Sequence, residues 1–314
     1  MRHIRTSIVA MAAICASQAA WAQTKPLLGM VSISANEANN HRFIQGAEQE
    51  AAKKGWETSV IDAAGSADQA NAAIQNLVQR KASTIIDLVF PVSSLGAGLA
   101  AAREAKIPVG TWGGGLGGGV VATNGSGGPL AEPIIAMAVK DLGGKGALLE
   151  LTYHTGEVCR QREQVADAIL AKSPDIKVSK NEVRIPGYYQ DGAQYAVAWL
   201  ASHPEGSGPL AIWGCWDDPA LGAISALRQQ GRTDVKVYGE NGNAQALEAV
   251  QKGFMTATAW QDSQTEGVKM VDTLDEAVKA GDSWQPKAVE VPAVVLTKDT
   301  IDAFLKEHPE TIGK

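Results

Sequence analysis

Residues 43–90, "FIQGAEQEAAKKGWETSVIDAAGSADQANAAIQNLVQRKASTIIDLVF", hold the alternation that decides the fold. Phe43, Ala47 and Ala51 recur every four residues, which lays one apolar stripe along a helix. Gly55 stands where such a helix stops. "WETSVIDA" then alternates as a strand does. Ser66 or Asp68 caps a second helix, "SADQANAAIQNLVQRKA". "STIIDLVF" is a continuous apolar strand. Buried strands that take turns with helices predict a parallel sheet covered on both faces.

The rhythm extends in both directions. Upstream, "LLGMVSI" is a strand and "NNHRFIQGAEQEAAKKG" contains the first helix. Downstream, "SSLGAGLAAAREAK" is helical and "IPVGTW" is a strand. From Leu130 the pattern starts again: helix, "GALLELTY", helix 157–172, "IKVSKNEVRI", helix 190–203, "PLAIWG", helix 219–230, "DVKVYGE", helix 243–252 and "MTATAWQ". Two doubly wound α/β units are therefore expected. In such sheets ligands bind beyond the carboxyl ends of the strands. Those ends carry Ser34–Asn40, Phe90–Ser94, Trp112–Gly114, Tyr153–Arg162, Trp213–Asp217, Glu240–Asn243 and Trp260–Gln264. Trp112, Trp213, Trp216 and Trp260 all fall at this edge. Each alone reads as core packing; together they predict an aromatic-walled cleft.

Composition narrows the class. The chain has 314 residues, enough for two domains, and a net charge of −6. An acidic chain is a poor match for nucleic acid, whose binding rests on neutralised phosphates. At the start, Arg2 and Arg5 precede a short apolar run, and Ala20 and Ala22 frame a cut before Gln23. This is the build of a cleavable signal peptide, residues 1–22, and predicts export to an oxidising compartment. No cysteine sits at the cut, which argues against a lipid anchor. No later stretch has the roughly 20 apolar residues of a spanning helix.

Two further features invite sharper readings. "TWGGGLGGG" follows a strand, but "VVATNGSG" after it is not helical and no Lys-Ser/Thr pair is present, so a phosphate cradle is disfavoured. His154, Glu157, Cys159 and Cys215 lack the repeated spacing of a metal cluster. No metal or cofactor is expected.

The order and spacing of "FIQGAEQEAAKKGWETSVIDAAGSADQANAAIQNLVQRKASTIID", "AGLAAAREAKIPV", "DDPALGAISALRQQGRTDVKVYGENG" and "AVQKGFMTATAWQD" is specific. Through these stretches the chain resembles the type I periplasmic substrate-binding proteins of ABC importers, in their ribose- and galactose-binding branch. The resemblance implies two Rossmann-like domains, 23–123 plus 262–290 and 124–261 plus 291–314, joined by a three-segment hinge. Ligand would be held between them by hinge closure and delivered to permease subunits in the membrane. A membrane sensor is the alternative partner. The resemblance implies a monomer without stable membrane insertion and without catalysis.

Matched position by position, the resemblance also implies a binding set. Asn39 and Asn40 fall near two aromatic positions of the sugar binders. After "IPV" the family's acidic clamp is absent and the chain reads "GTWGGG", with Trp112 there. Arg162 matches the family arginine of the second domain, with Arg160 competing for the role. Trp216-Asp217 stands at an Asn-Asp pair, Asn241-Gly242 at an Asp-Gly, and Gln261 at a glutamine. Forked Asn, Asp and Arg groups suit vicinal hydroxyls. The expected ligand is a sugar or sugar-like polyol, with an aromatic, heterocyclic or cationic molecule as the alternative. The family sheet order 2-1-3-4-5 would also place Cys159 and Cys215 on neighbouring strand ends, within reach of a disulfide. Two buried thiols are the other possibility.

Overall fold

The computed structural model describes residues 25–125 and 127–312. The signal-peptide reading of residues 1–22 lies outside the described residues. The first half alternates as β1 (Leu27–Ser32), α1 (Ala38–Lys53), β2 (Glu57–Asp62), α2 (Ala67–Gln79), β3 (Thr84–Leu88), α3 (Gly96–Glu104), β4 (Val109–Trp112) and β5 (Ala122–Asn124). The second half follows with α4 (Gly128–Asp141), β6 (Lys145–Thr152), α5 (Glu157–Leu170), β7 (Asp175–Glu182), α6 (Tyr188–Ser202), β8 (Leu210–Gly214), α7 (Asp217–Gln229), β9 (Val235–Asn241), α8 (Ala244–Lys252) and β10 (Ala257–Trp260). The chain then returns through α9 (Ser263–Ala280), β11 (Lys287–Val289), β12 (Val294–Thr297) and α10 (Ile301–Glu307).

Two six-stranded sheets result, ordered β11-β5-β4-β3-β1-β2 and β12-β10-β9-β8-β6-β7. Every pairing is parallel except β10 with β12. This is the doubly wound α/β class expected from the alternation. Helix starts are fixed locally: Ser66 accepts from Gln69 N, Asn243 from Ala246 N, and Asp262 from Thr265 N. Gly55, at φ 74°, follows α1 in the left-handed region, as a helix stop requires. The return elements β11, β12 and α9 stand outside the alternation. They carry the chain back to the first sheet and then again to the second.

Both faces of each sheet are covered. Along β1, Leu28 and Met30 pack with Phe43, Met270 and Leu274 from α1 and α9. Val31 points the other way, into a core with Ile74, Leu77 and Ile85. The central strands are accordingly continuous apolar runs. α1 and α9 approach so closely that a Cβ on Gly46 would lie 2.0 Å from the Gln264 carbonyl oxygen. Gly46→Ala is therefore expected to lower stability by about 1–3 kcal/mol, the usual cost of overpacking. A fall in the urea midpoint with unchanged slope would register it.

Candidate functional site at the facing sheet ends

The carboxyl ends of the two sheets face each other. From the first come Ile33, Glu37, Asn39 and Asn40 after β1, Val89 after β3, and Trp112 at the end of β4. From the second come Tyr153, Val158 and Arg162 after β6, Ile185 after β7, Trp216 after β8, and Asn241 at the end of β9. Gly125 and Gln261 lie where the chain passes between the sheets. Together they line a small cavity of about 50 Å³.

The two halves are closed on one another. The Glu157 amide donates to the Val89 carbonyl across the interface at 3.1 Å. Arg42 of α1 reaches over to the Asn241 carbonyl at 2.8 Å and the Gly242 carbonyl at 3.2 Å. Its guanidinium also donates to Asn39 Oδ1. Val89 sits at φ 80°, a rare conformation for a β-branched residue, and strain of this kind gathers at functional sites.

Arg162 organises the second-domain wall. It projects from the second turn of α5 and is 1% exposed. Its Nε lies 3.0 Å from Glu240 Oε2, Nη1 donates to the Cys215 carbonyl at 2.5 Å, and Nη2 donates to Asn241 Oδ1 at 2.9 Å. Glu240 also accepts from the Trp213 indole at 3.0 Å. Burial pushes the Glu240 carboxyl upward, against the pull of Arg162 and the indole. Burial lowers the Arg162 guanidinium, opposed by Glu240. On the opposite side, Glu266 accepts from Trp112 Nε1 at 2.7 Å and from Gln261 Nε2 at 2.9 and 3.0 Å. This fixes the plane of the Trp112 ring, which also packs on Phe43 with centroids 5.1 Å apart. Burial raises Glu266 to about 7.

Cys159 and Cys215 are bridged, with Cα atoms 5.5 Å apart. The bridge ties the start of α5 to the end of β8, one turn from Arg162 and next to Trp216. Trp216 is held edge-on by Tyr153 and Tyr188, with centroids at 6.1 and 5.6 Å. Its indole Nε1 is buried without a hydrogen-bond partner among the described residues.

Of the residues expected at the site, Asn39, Asn40, Trp112, Arg162, Trp216, Asn241 and Gln261 all line the cavity. Arg160 does not: it lies two positions round the helix from Arg162 and pairs with Glu157. Asp217 does not either. It is fully buried below the cavity, where it accepts from the Asn243 amide at 2.8 Å and Thr258 Oγ1 at 2.7 Å. It braces the β9–α8 turn, and burial raises it to about 7. Trp213 and Trp260 are also core: Trp213 bonds Glu240, and Trp260 packs on Phe304. Only two of the four strand-end tryptophans therefore wall the cleft. His154 turns to Glu163 and Glu182 and does not join the cysteines.

Several wall residues were not read from the sequence. Glu37 carries a signal, an acidic residue immediately before a helix. Arg42, which bonds across the closed halves and does not line the cavity, has one too, since it lies one turn beyond Asn39 and so on the same helix face. Ile33, Val89, Val158 and Ile185 look like any apolar residues.

The periplasmic binding protein domain family matches residues 29–283. The chain belongs to this family. Within the periplasmic binding proteins it is similar to the xylitol-binding protein of Mycolicibacterium smegmatis, 29% identical over 263 residues, covering 82% of this chain and 71% of the relative. It is similar to the ribose import binding protein RbsB of Escherichia coli, 29% identical over 298 residues, covering 91% and 96% of the two chains. A solved ABC transporter solute-binding protein from Agrobacterium vitis with bound allitol superposes with a TM-score of 0.83 at 25% identity, over 90% of this chain and 99% of that one. The fold is that of the type I periplasmic binding proteins. No helix among the described residues is long and apolar enough to cross a membrane.

Proposed function

We propose that this protein is the solute-binding component of an ABC importer, and that it captures a sugar or short polyol by closing two domains over it. The domains are 23–123 plus 262–290 and 124–261 plus 291–314, and the three crossings between them form the hinge. One observation carries the reading: hydroxyl-matching groups and indole rings from both sheets meet in a single closed cavity. Arg162, Asn241, Asn39, Asn40 and Gln261 supply forked donors and acceptors. Trp112 and Trp216 supply faces for the C–H side of a ligand. Relatives named for xylitol and ribose, and a neighbour holding allitol, support the ligand class. The protein works in the periplasm, binds without catalysis, and hands its ligand as a monomer to the permease.

A second reading has support in Ile33, Val89, Val158 and Ile185, which give the cavity more apolar wall than hydroxyls need. Those walls and the indoles suit an aromatic or cationic ligand. A thermal-shift panel of xylitol, ribose, allitol, nucleobases and quaternary amines separates the two. A ligand that binds only the folded protein raises the melting temperature. Shifts with polyols or pentoses are expected; shifts with amines or nucleobases alone would overturn the first reading. For the ligand that binds, Trp216→Ala is expected to cost about 1–3 kcal/mol of affinity, the scale of one large buried side chain. Isothermal titration calorimetry measures it, and an unchanged Kd would assign Trp216 to packing only.

A further inference from the structure

Glu37 and Asp218 meet across the closed cleft in an arrangement that the binding of hydroxyls does not use. Glu37 caps α1 in the first domain, its Oε2 accepting from the Asn40 amide at 2.8 Å. Asp218 is the second residue of α7 in the second domain. Glu37 Oε1 and Asp218 Oδ2 are both buried, and neither meets an N–H or O–H donor among the described residues. The two carboxyl groups face each other within hydrogen-bonding reach. An ionised carboxylate only accepts, so a hydrogen bond between two of them requires a proton on one.

We propose that Glu37 and Asp218 form a proton-binding site that exists only when the domains are closed, so that capture of an uncharged ligand takes up one proton. The proposal rests on the reading of the cleft as a ligand site. The surroundings favour one proton, not two or none. Arg42 on the same helix as Glu37, and Arg162 from α5, place positive charge near the pair. The N-termini of α1 and α7 add their positive ends. These hold one carboxylate charge. Against a second charge stand Asp217, adjacent on α7, and burial itself. Tyr188 of α6 faces the same pair, and burial keeps its hydroxyl neutral.

The sign follows from linkage. In the closed form burial raises Asp218 to about 8, from an ordinary carboxyl value near 4 when opening returns it to water. Between those values the closed form binds more protons than the open form. Closure is thus favoured as pH falls through that window, by up to about tenfold per pH unit, and is insensitive to pH above it. Glu240, Glu266 and Asp217 are also raised, but their hydrogen-bond partners hold them within one domain or at the hinge, and not across the cleft as Glu37 and Asp218 are held.

The test measures Kd at pH 5.5 and 8.0 for xylitol, ribose and allitol in the full mature protein. Wild type is expected to bind at least about tenfold more tightly at pH 5.5. Asp218→Asn carries a permanent donor toward Glu37, so it is expected to bind at pH 8.0 as tightly as wild type does at pH 5.5, with no slope. Glu37→Gln is expected to flatten the profile as well. A purely structural role would weaken binding equally at both pH values. A flat wild-type profile, a tightening toward high pH, or a slope that survives Asp218→Asn overturns the proposal. If none of the three sugars binds, small-angle scattering of ligand-free protein decides separately. The wild-type radius of gyration should be smaller at pH 5.5 than at 8.0 and the Asp218→Asn radius equal at both; equal wild-type radii would overturn the proposal.

Discussion

Arg162→Ala is expected to lower the free energy of unfolding by about 3–5 kcal/mol, the cost of breaking a buried ion pair by removing one partner. The guanidinium is 1% exposed and makes contacts to Glu240, the Cys215 carbonyl and Asn241 at once. Without it, Glu240 sits in a fully buried site with only the Trp213 indole to hold its charge. The carboxyl will then take a proton, which limits the loss but leaves the Cys215 carbonyl and Asn241 Oδ1 without their donor. Glu240→Gln in the same chain is expected to recover part of the loss, because it removes the stranded acid. Urea unfolding of the two single variants and the double variant measures the coupling. Additive effects would show that Arg162 and Glu240 do not act as a pair. Ligand affinity should fall in both Arg162 variants, since Asn241 loses the contact that orients it toward the cavity.

Opening the Cys159–Cys215 bridge is expected to cost about 4 kcal/mol at most, by the loop-closure entropy of a cross-link spanning a sequence separation of 56. The bridge does more than shorten the unfolded chain. It fixes α5 against the end of β8, and so sets the reach of Arg162 to the Cys215 carbonyl. Cys159→Ala with Cys215→Ala should therefore lower both the urea midpoint and the affinity for ligand. Dithiothreitol should reproduce the stability loss in wild type and leave the double variant unchanged. Two titratable thiols in denatured, unreduced protein would remove the basis for both effects.

Much of the site was legible because a doubly wound sheet gathers its strand ends on one edge. Once β1, β4, β6, β8, β9 and β10 are recognised by their apolar runs, the residues after them are the candidates. Within those stretches the family resemblance singled out Asn39, Asn40, Trp112, Arg162, Trp216, Asn241 and Gln261, and all seven line the cavity. Arg160 and Arg162 could not be separated by residue type, since both are arginines on the first turns of one helix. Helical rotation separates them: Arg162 turns inward and Arg160 meets Glu157. Asp217 and Trp216 are adjacent, and the turn from β8 into α7 sends one to the cavity and the other beneath it. The long α9 belongs to the first domain through packing against α1, a contact between segments more than 200 residues apart that no local pattern reports.

The sequence by itself determined the two alternating α/β halves, apart from β5, α9, β11 and β12, and the sheet edge at which ligand is expected. Apolar period, caps and stops are local properties, and each segment carries its own. Tertiary structure alone decided which strand-end tryptophans are wall and which are core, which arginine is buried, and that Glu37 confronts Asp218. Those outcomes depend on how two domains face one another, and desolvation acts on a carboxyl only through the neighbours that exclude water from it.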